Sequence, residues 1–185
     1  IHSDDQVAVD TNNEEQSSTD PKYSWGKLLG YKQTWAFALG KLLTDPIWWF
    51  YLFWLPDFLE SQYQIKGTAI ALPVAAVYTI SSIGSVWGGW LPMSLIKKDW
   101  SSFKARKTSM FIYAMLVLPI LFAQYLGSIN MWLAVLVIGI AAAAHQAWSA
   151  NIFTTASDMF PKKAVGSVTG IGGMFGSLGG ILLSL

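Results

Sequence analysis

From residue 108 to residue 157 the chain carries no Asp, Glu, Lys or Arg. A helix crosses the hydrocarbon core of a bilayer in about 20 apolar residues, so this uncharged tract of fifty residues is long enough for two crossings. Gly127, Ser128, Ile129 and Asn130 interrupt it near its middle, and four uncharged residues of turn chemistry suffice to join two antiparallel helices. The spacing therefore predicts a helical hairpin within an all-α, polytopic membrane protein.

The rest of the composition fits lipid as the solvent. Hydrophobic residues make up 53% of the chain and charged residues 12%, against roughly a quarter charged in soluble domains. The sequence has no cysteine, which excludes a disulfide framework and cysteine metal sites. Six of the eleven acidic residues, Asp4, Asp5, Asp10, Glu14, Glu15 and Asp20, fall in the first twenty positions among Ser, Thr, Asn and Gln. This opening segment, with so little to bury, reads as disordered, and residues 1–33 as a whole are assigned to a cytoplasmic central linker. The sequence opens at Ile1 and stops at Leu185 inside an apolar, Gly-rich run, which reads as a fragment of a longer chain.

Five spans are predicted, at about 34–58, 68–96, 108–126, 131–156 and 164–185. Pro46 and Pro56 are expected to bend the first, which is dense in aromatic residues. Pro73 is expected to break the second, where Gly84 and Gly88 have the four-residue spacing that lets helix backbones approach. Lys and Arg counted on alternate sides give the orientation, because basic loops stay in the cytoplasm. One side holds Lys22, Lys27, Lys32, Lys41, Lys97, Lys98, Lys104, Arg106, Lys107, Lys162 and Lys163, and the other holds Lys66 alone. The linker and the loops 97–107 and 157–163 are therefore assigned to the cytoplasm. Topology already accounts for the basic loop around Lys104, so no nucleic-acid partner is inferred from it.

Three stretches carry a family resemblance: KLLTDPIWWFYLFWLP at 41–56, GGWLPMSLIKK at 88–98 with ARK at 105–107, and AHQAWSANIFTTASDMFPKKAVGSVTGIGGM at 144–174. With the order of spans and loops, they resemble the C-terminal half of a major facilitator superfamily transporter, in the anion:cation symporter branch that includes the hexuronate transporters. The last stretch is the most specific of the three. The resemblance implies secondary transport of a sugar acid by alternating access, coupled to protons, in a bacterial inner membrane. It also implies that an N-terminal half, absent from this sequence, contributes the main carboxylate-binding Arg and the proton-carrying acids. Where such transporters often carry an Asp after their second or eighth helix, this sequence has Pro92 and Met93, so the resemblance supplies no acidic latch there. A related organic anion such as an aldonate or aldarate fits the same branch. A membrane sensor or scaffold that keeps the fold without transport is a second class of reading, and its mark would be an added signalling domain.

Residue chemistry gives the candidate positions. His145 is the only ionisable residue of the uncharged tract besides its tyrosines, and intramembrane ionisable groups face a cavity or a partner. It either meets a carboxylate or a proton, or hydrogen-bonds a neighbouring helix as a neutral imidazole. Gln146, Trp148, Ser149, Asn151 and Thr155 lie beside it. Helical spacing places His145, Trp148, Ser149 and Ile152 on one face, with Asn151, Thr155 and Asp158 on another. Hydroxyl and amide groups suit a polyhydroxy acid and an aromatic face suits its ring, so Trp148, and one or two of Trp48, Trp49, Tyr51 and Trp54, are candidates for the substrate path, against plain packing. Tyr78, Ser81, Ser82 and Ser85 form a polar stripe on the second span, for interhelical hydrogen bonds or for the path. Lys41 and Asp45, one turn apart, are either a gating or coupling pair or a snorkelling interfacial pair. Gly172, Gly176 and Gly180 give the last span a smooth packing face. No P-loop, HExxH motif or nucleophile elbow occurs, so an enzyme is not predicted, and no cofactor or metal is inferred.

The charge layout makes a direct prediction. Reporter fusions at Lys104 and Lys162 should report the cytoplasm and one at Lys66 the opposite side; a periplasmic signal at Lys104 would overturn the topology.

Overall fold

The computed structural model describes residues 24–184, and no strand occurs among them. The acidic opening segment and Lys22 lie outside the described residues. The helices are α1 (Trp25–Leu29), α2 (Lys32–Tyr63), α3 (Ala71–Ile96), α4 (Ser102–Val117), α5 (Ala123–Ile129), α6 (Met131–Met159) and α7 (Lys162–Ser184). Short 3-10 turns, Gly67–Ile70 and Leu118–Phe122, lead into α3 and join α4 to α5. Within the segment read as linker, α1 buries Leu28 completely.

Among the described residues, four segments are long and apolar enough to cross a membrane: Gly67–Ile96, Ser102–Ile129, Met131–Met159 and Lys162–Ser184. The expected first span lies in α2, which at 32 residues is long enough, at 1.5 Å per residue, to cross a bilayer. It falls short on apolarity because Lys41 and Asp45 sit within it and Trp, Tyr and Pro replace aliphatic residues.

Two further expectations need correction. The hairpin turn is not the four residues 127–130. Helix α5 continues through Ile129, and Asn130 alone makes the joint, with extended backbone and a side chain that accepts from Trp132 N at 2.8 Å. An N-cap of this kind starts a new helix at once, while Gly127 is buried in α5 where an added Cβ would strike Tyr63 and meet Ala134. Nor does Pro73 break the second span. It occupies the first turn of α3, where the proline nitrogen removes no helical hydrogen bond.

Helix α6 is the centre of the bundle and touches α2, α3, α4, α5 and α7. The small-residue positions set the two tightest crossings. Gly84 and Gly88 of α3 lie against the backbone of Ala143 and Ala147 of α6, and Gly172, Gly176, Gly179 and Gly180 of α7 lie against Phe37, Asp45, Leu42 with Pro46, and Trp49 of α2. No Cβ fits without displacement at most of these positions, so glycine there allows an approach that no other residue permits. Tyr51, Leu55, Leu59, Val77, Val135 and Ile138 form one buried cluster, and Leu28, Phe37, Ile152, Val168 and Ile171 form another. Large apolar side chains such as Leu43, Phe111 and Leu121 remain exposed around the perimeter, as lipid contact requires.

At two of the prolines a polar side chain reaches the backbone carbonyl that the ring leaves open. A proline inside a helix removes the donor for the carbonyl four residues earlier, and in lipid that carbonyl needs another partner. Pro92 frees the Gly88 carbonyl, which accepts from Asn151 Nδ2 of α6 at 2.6 Å and from the Tyr113 hydroxyl of α4 at 3.3 Å. Pro56 frees the Leu52 carbonyl, to which the Tyr78 hydroxyl of α3 donates at 3.5 Å. At the end of α6, Arg106 pairs with Asp158 through both its Nε and Nη2 and ties the start of α4 to the last turn of α6.

The Gly88 repair predicts a coupled pair of substitutions. Asn151→Leu should lower unfolding stability in detergent by about 1 kcal/mol. In a Pro92→Ala background, where Gly88 regains its helical donor, the same change should cost less than half as much; equal costs in the two backgrounds would refute the pairing.

Candidate functional site

At mid-height of the bundle, α2, α3 and α6 turn polar side chains toward a shared concave face. His145 is residue 15 of 29 in α6 (145 − 131 + 1), Asp45 is residue 14 of 32 in α2 (45 − 32 + 1), and Ser82 is residue 12 of 26 in α3 (82 − 71 + 1). Two hollows meet on this face. One, of about 140 Å³, is lined by Lys41, Asp45, Trp48, Trp49, His145, Gln146 and Ser149. The other, of about 390 Å³, is lined by Trp48, Tyr78, Ser81, Ser82, Ser85, Val86 and Gln146. Trp48 and Gln146 line both, so the hollows lie side by side on one face, here called the groove, with a charged end and a hydroxyl-rich end.

The charged end is built by α2. Lys41 is 5% exposed, and its ammonium lies 2.8 Å from Asp45 Oδ1 and 4.1 Å from the centre of the Phe153 ring of α6. The i, i+4 spacing on one helix brings the two charges together, and the aromatic face adds a second attraction for the cation. Asp45 reaches the backbone of α7 at Gly176, where any added Cβ would collide with its Oδ2. The ion pair is therefore enclosed by three helices, well inside the bundle rather than at its rim.

His145 joins α6 to α2. Its Nε2 lies 2.8 Å from the Thr44 carbonyl, and a carbonyl only accepts, so Nε2 carries the proton. Nδ1 is then a lone-pair acceptor, buried and without a hydrogen-bond partner. The ring stacks on Trp48 at 6.3 Å with an interplanar angle of 8°, and Trp48 in turn meets Tyr78 edge-on at 6.2 Å.

The structure gathers His145, Gln146, Ser149, Lys41, Asp45, Tyr78 and Ser82 in the groove, with Trp49 at its edge beside Gly180. It places the others elsewhere. Trp148 and Tyr51 line a separate apolar cavity of about 270 Å³ with Ile47, Tyr113 and Ala144, so the face expected to hold His145, Trp148 and Ser149 together divides at His145. Asn151 is 1% exposed and is occupied by the Gly88 carbonyl, while the Thr155 hydroxyl donates back to the Asn151 carbonyl at 2.8 Å. Neither lines the groove. Trp48, not Trp148, is the aromatic wall. Its signal in the sequence is the 41, 45, 48 spacing, which puts it on the face of the ion pair. No group of three or more His, Cys, Asp or Glu able to hold a metal occurs among the described residues.

Because the sequence has no cysteine, accessibility can be read from single introduced thiols. In a cysteine-free background, Ser82→Cys, Ser85→Cys and Gln146→Cys should react with a hydrophilic thiol reagent, since reaction needs water at the thiolate, and Asn151→Cys should not. Equal labelling at Asn151 would contradict the division between groove and packing face.

Comparison with known proteins agrees with this geometry. Residues 3–184 match the Major Facilitator Superfamily. The chain is 29% identical over 174 residues to the hexuronate transporter of Escherichia coli K12, covering 92% of this chain and 39% of that protein. It is similar to a probable galactarate/D-glucarate transporter of the same strain, 29% over 174 residues, covering 91% and 38%. It also resembles a D-galactonate transporter of Escherichia coli O6:H1, 23% over 159 residues, covering 86% and 36%. The chain thus spans about two fifths of the length of these relatives. A family match over nearly the whole length, on an all-helical bundle with a polar groove at mid-height, makes this chain a member of the Major Facilitator Superfamily.

Proposed function

We propose that this chain forms one wall, the C-terminal half, of a secondary transporter that moves a sugar acid across a bacterial inner membrane together with protons. A hexuronate such as glucuronate or galacturonate is the substrate we assign. The observation that carries this reading is the groove itself: a buried cation at one end, hydroxyl and amide groups at the other, and Trp48 between them. A sugar acid has the matching order of groups, with a carboxylate, hydroxyls that both donate and accept, and an apolar ring face. The relatives named for hexuronate, galactarate and galactonate transport support an organic anion over other cargo.

In this mechanism a second half of the transporter closes the groove from the other side, and the site opens alternately to each face of the membrane as the halves rock. Substrate sites in such transporters lie near the midplane, and His145, Asp45 and Ser82 are all near the middle of their helices. The glycine face of α7 on α2 gives a contact with few side-chain obstacles to sliding. The basic segments 97–107 and 157–163, made up of the short joints 97–101 and 160–161 with the helix ends beside them, face the cytoplasm.

The complete transporter in membrane vesicles should take up labelled glucuronate when the outside is made acidic, and galactonate should compete weakly. His145→Ala should lower that uptake about tenfold, the effect of losing about 1.4 kcal/mol of binding. No uptake across a proton gradient would discard the mechanism, and unchanged kinetics in His145→Ala would assign the histidine to packing.

A further inference from the structure

The Lys41 ammonium is held from two sides, by the Asp45 carboxylate at 2.8 Å and by the Phe153 ring at 4.1 Å. The partners are unequally enclosed: the lysine side chain is 6% exposed and the aspartate 21%. Resting on the reading that the groove carries a sugar acid, we propose that Lys41 is a carboxylate-binding site of that groove and that Asp45 fills it as an internal competitor. An incoming substrate carboxylate takes over the ammonium, and the displaced Asp45 takes up one proton.

The chemistry of the exchange is like for like. Lys41 already holds a carboxylate oxygen at hydrogen-bond distance, and a sugar acid brings the same group. The 140 Å³ hollow beside the pair shares Trp48 and Gln146 with the larger hollow lined by Ser82 and Ser85, so a carboxylate seated at Lys41 has the serines on the far side of those two residues for its sugar hydroxyls. While the carboxylates change places, the Phe153 ring stays on the ammonium.

Charge balance requires the proton. Two carboxylates sharing one lysine would leave a negative charge uncompensated in a water-poor site, and a group in that position neutralises instead. The step is Lys41⁺·Asp45⁻ plus RCOO⁻ plus H⁺ giving Lys41⁺·RCOO⁻ plus Asp45–COOH. The interior gains no net charge, and release on the far side returns the anion and the proton together. The groups that face Asp45 are few. On α2 there is Lys41, and on α6 His145, whose Nε2–H is committed to Thr44 and whose Nδ1 is an open acceptor. Helix α7 presents glycine, and α3 presents Tyr78 across the groove. His145 is the one other titratable group of the hollow.

Equilibrium binding of glucuronate to the purified complete transporter, measured at acidic and at alkaline pH, tests the exchange. Asp45→Asn removes the competitor and should tighten binding about tenfold and flatten its pH dependence, and Lys41→Met should weaken binding by at least about tenfold. The double variant Lys41→Met/Asp45→Asn should melt close to wild type yet still bind poorly, which separates folding from recognition. Asp45→Asn that weakens binding as Lys41→Met does, or that keeps the full pH dependence, would overturn this inference alone. A wild-type protein that binds neither glucuronate nor galactonate would overturn the transport reading with it.

Discussion

Backbone carbonyls within the bilayer need donors, and in this chain two of those that proline leaves open draw theirs from another helix. Pro56 and Pro92 each remove a donor from within a long helix, and each loss is met from a neighbour. Tyr78 reaches from α3 to α2, while Asn151 and Tyr113 reach from α6 and α4 to α3. The Asn151 bond crosses the same interface where Gly84 and Gly88 admit the backbone of α6. Close approach and carbonyl repair support each other, since a short polar side chain such as Asn151 spans the gap only when the helices are near.

The same scarcity of water governs the charges. Lys41 and Asp45 lie within a bundle that offers no bulk solvent, and they persist because each has the other, with a ring and a glycine backbone around them. A larger residue at Gly176 would separate carboxylate from ammonium, so the smooth face of α7 serves the electrostatics of α2 as well as its packing. An ion pair in such a setting is costly to form and more costly to break one-sidedly. That asymmetry makes it a suitable place for a charged ligand to intervene.

Much of this fold is legible in the residues. The uncharged tract, the Gly84 and Gly88 spacing and the one-turn separation of Lys41 from Asp45 all lead to features the structure contains. Helical spacing states which residues share a face but not which neighbour that face meets. For that reason spacing sets Asn151 and Thr155 on a different face from Ser149 without showing which face packs, and it leaves Trp148 beside Ser149 although Trp148 lines a separate cavity. A usable signal lay in the prolines. Counting four residues back from Pro92 and Pro56 identifies Gly88 and Leu52 as carbonyls in need of donors, and so indicates that some of the intramembrane polar residues are already committed. The hydropathy of α2 was harder to read because indole and phenol rings are less apolar than aliphatic chains, while their size still fills a membrane helix.

The one-residue joint at Asn130 bears on how the bundle can move. With its side chain capping α6 and α5 ending at the residue before it, the hairpin has no slack, and a tilt of α6 is transmitted undiminished to α5 as through a welded elbow. Compliance on that side of the molecule then has to come from the 3-10 stretch Leu118–Phe122, the next interruption in the rod. Rocking of the central helix would be absorbed there as local twist, while the aqueous end of α4, pinned by Arg106 to Asp158 of α6, follows that helix.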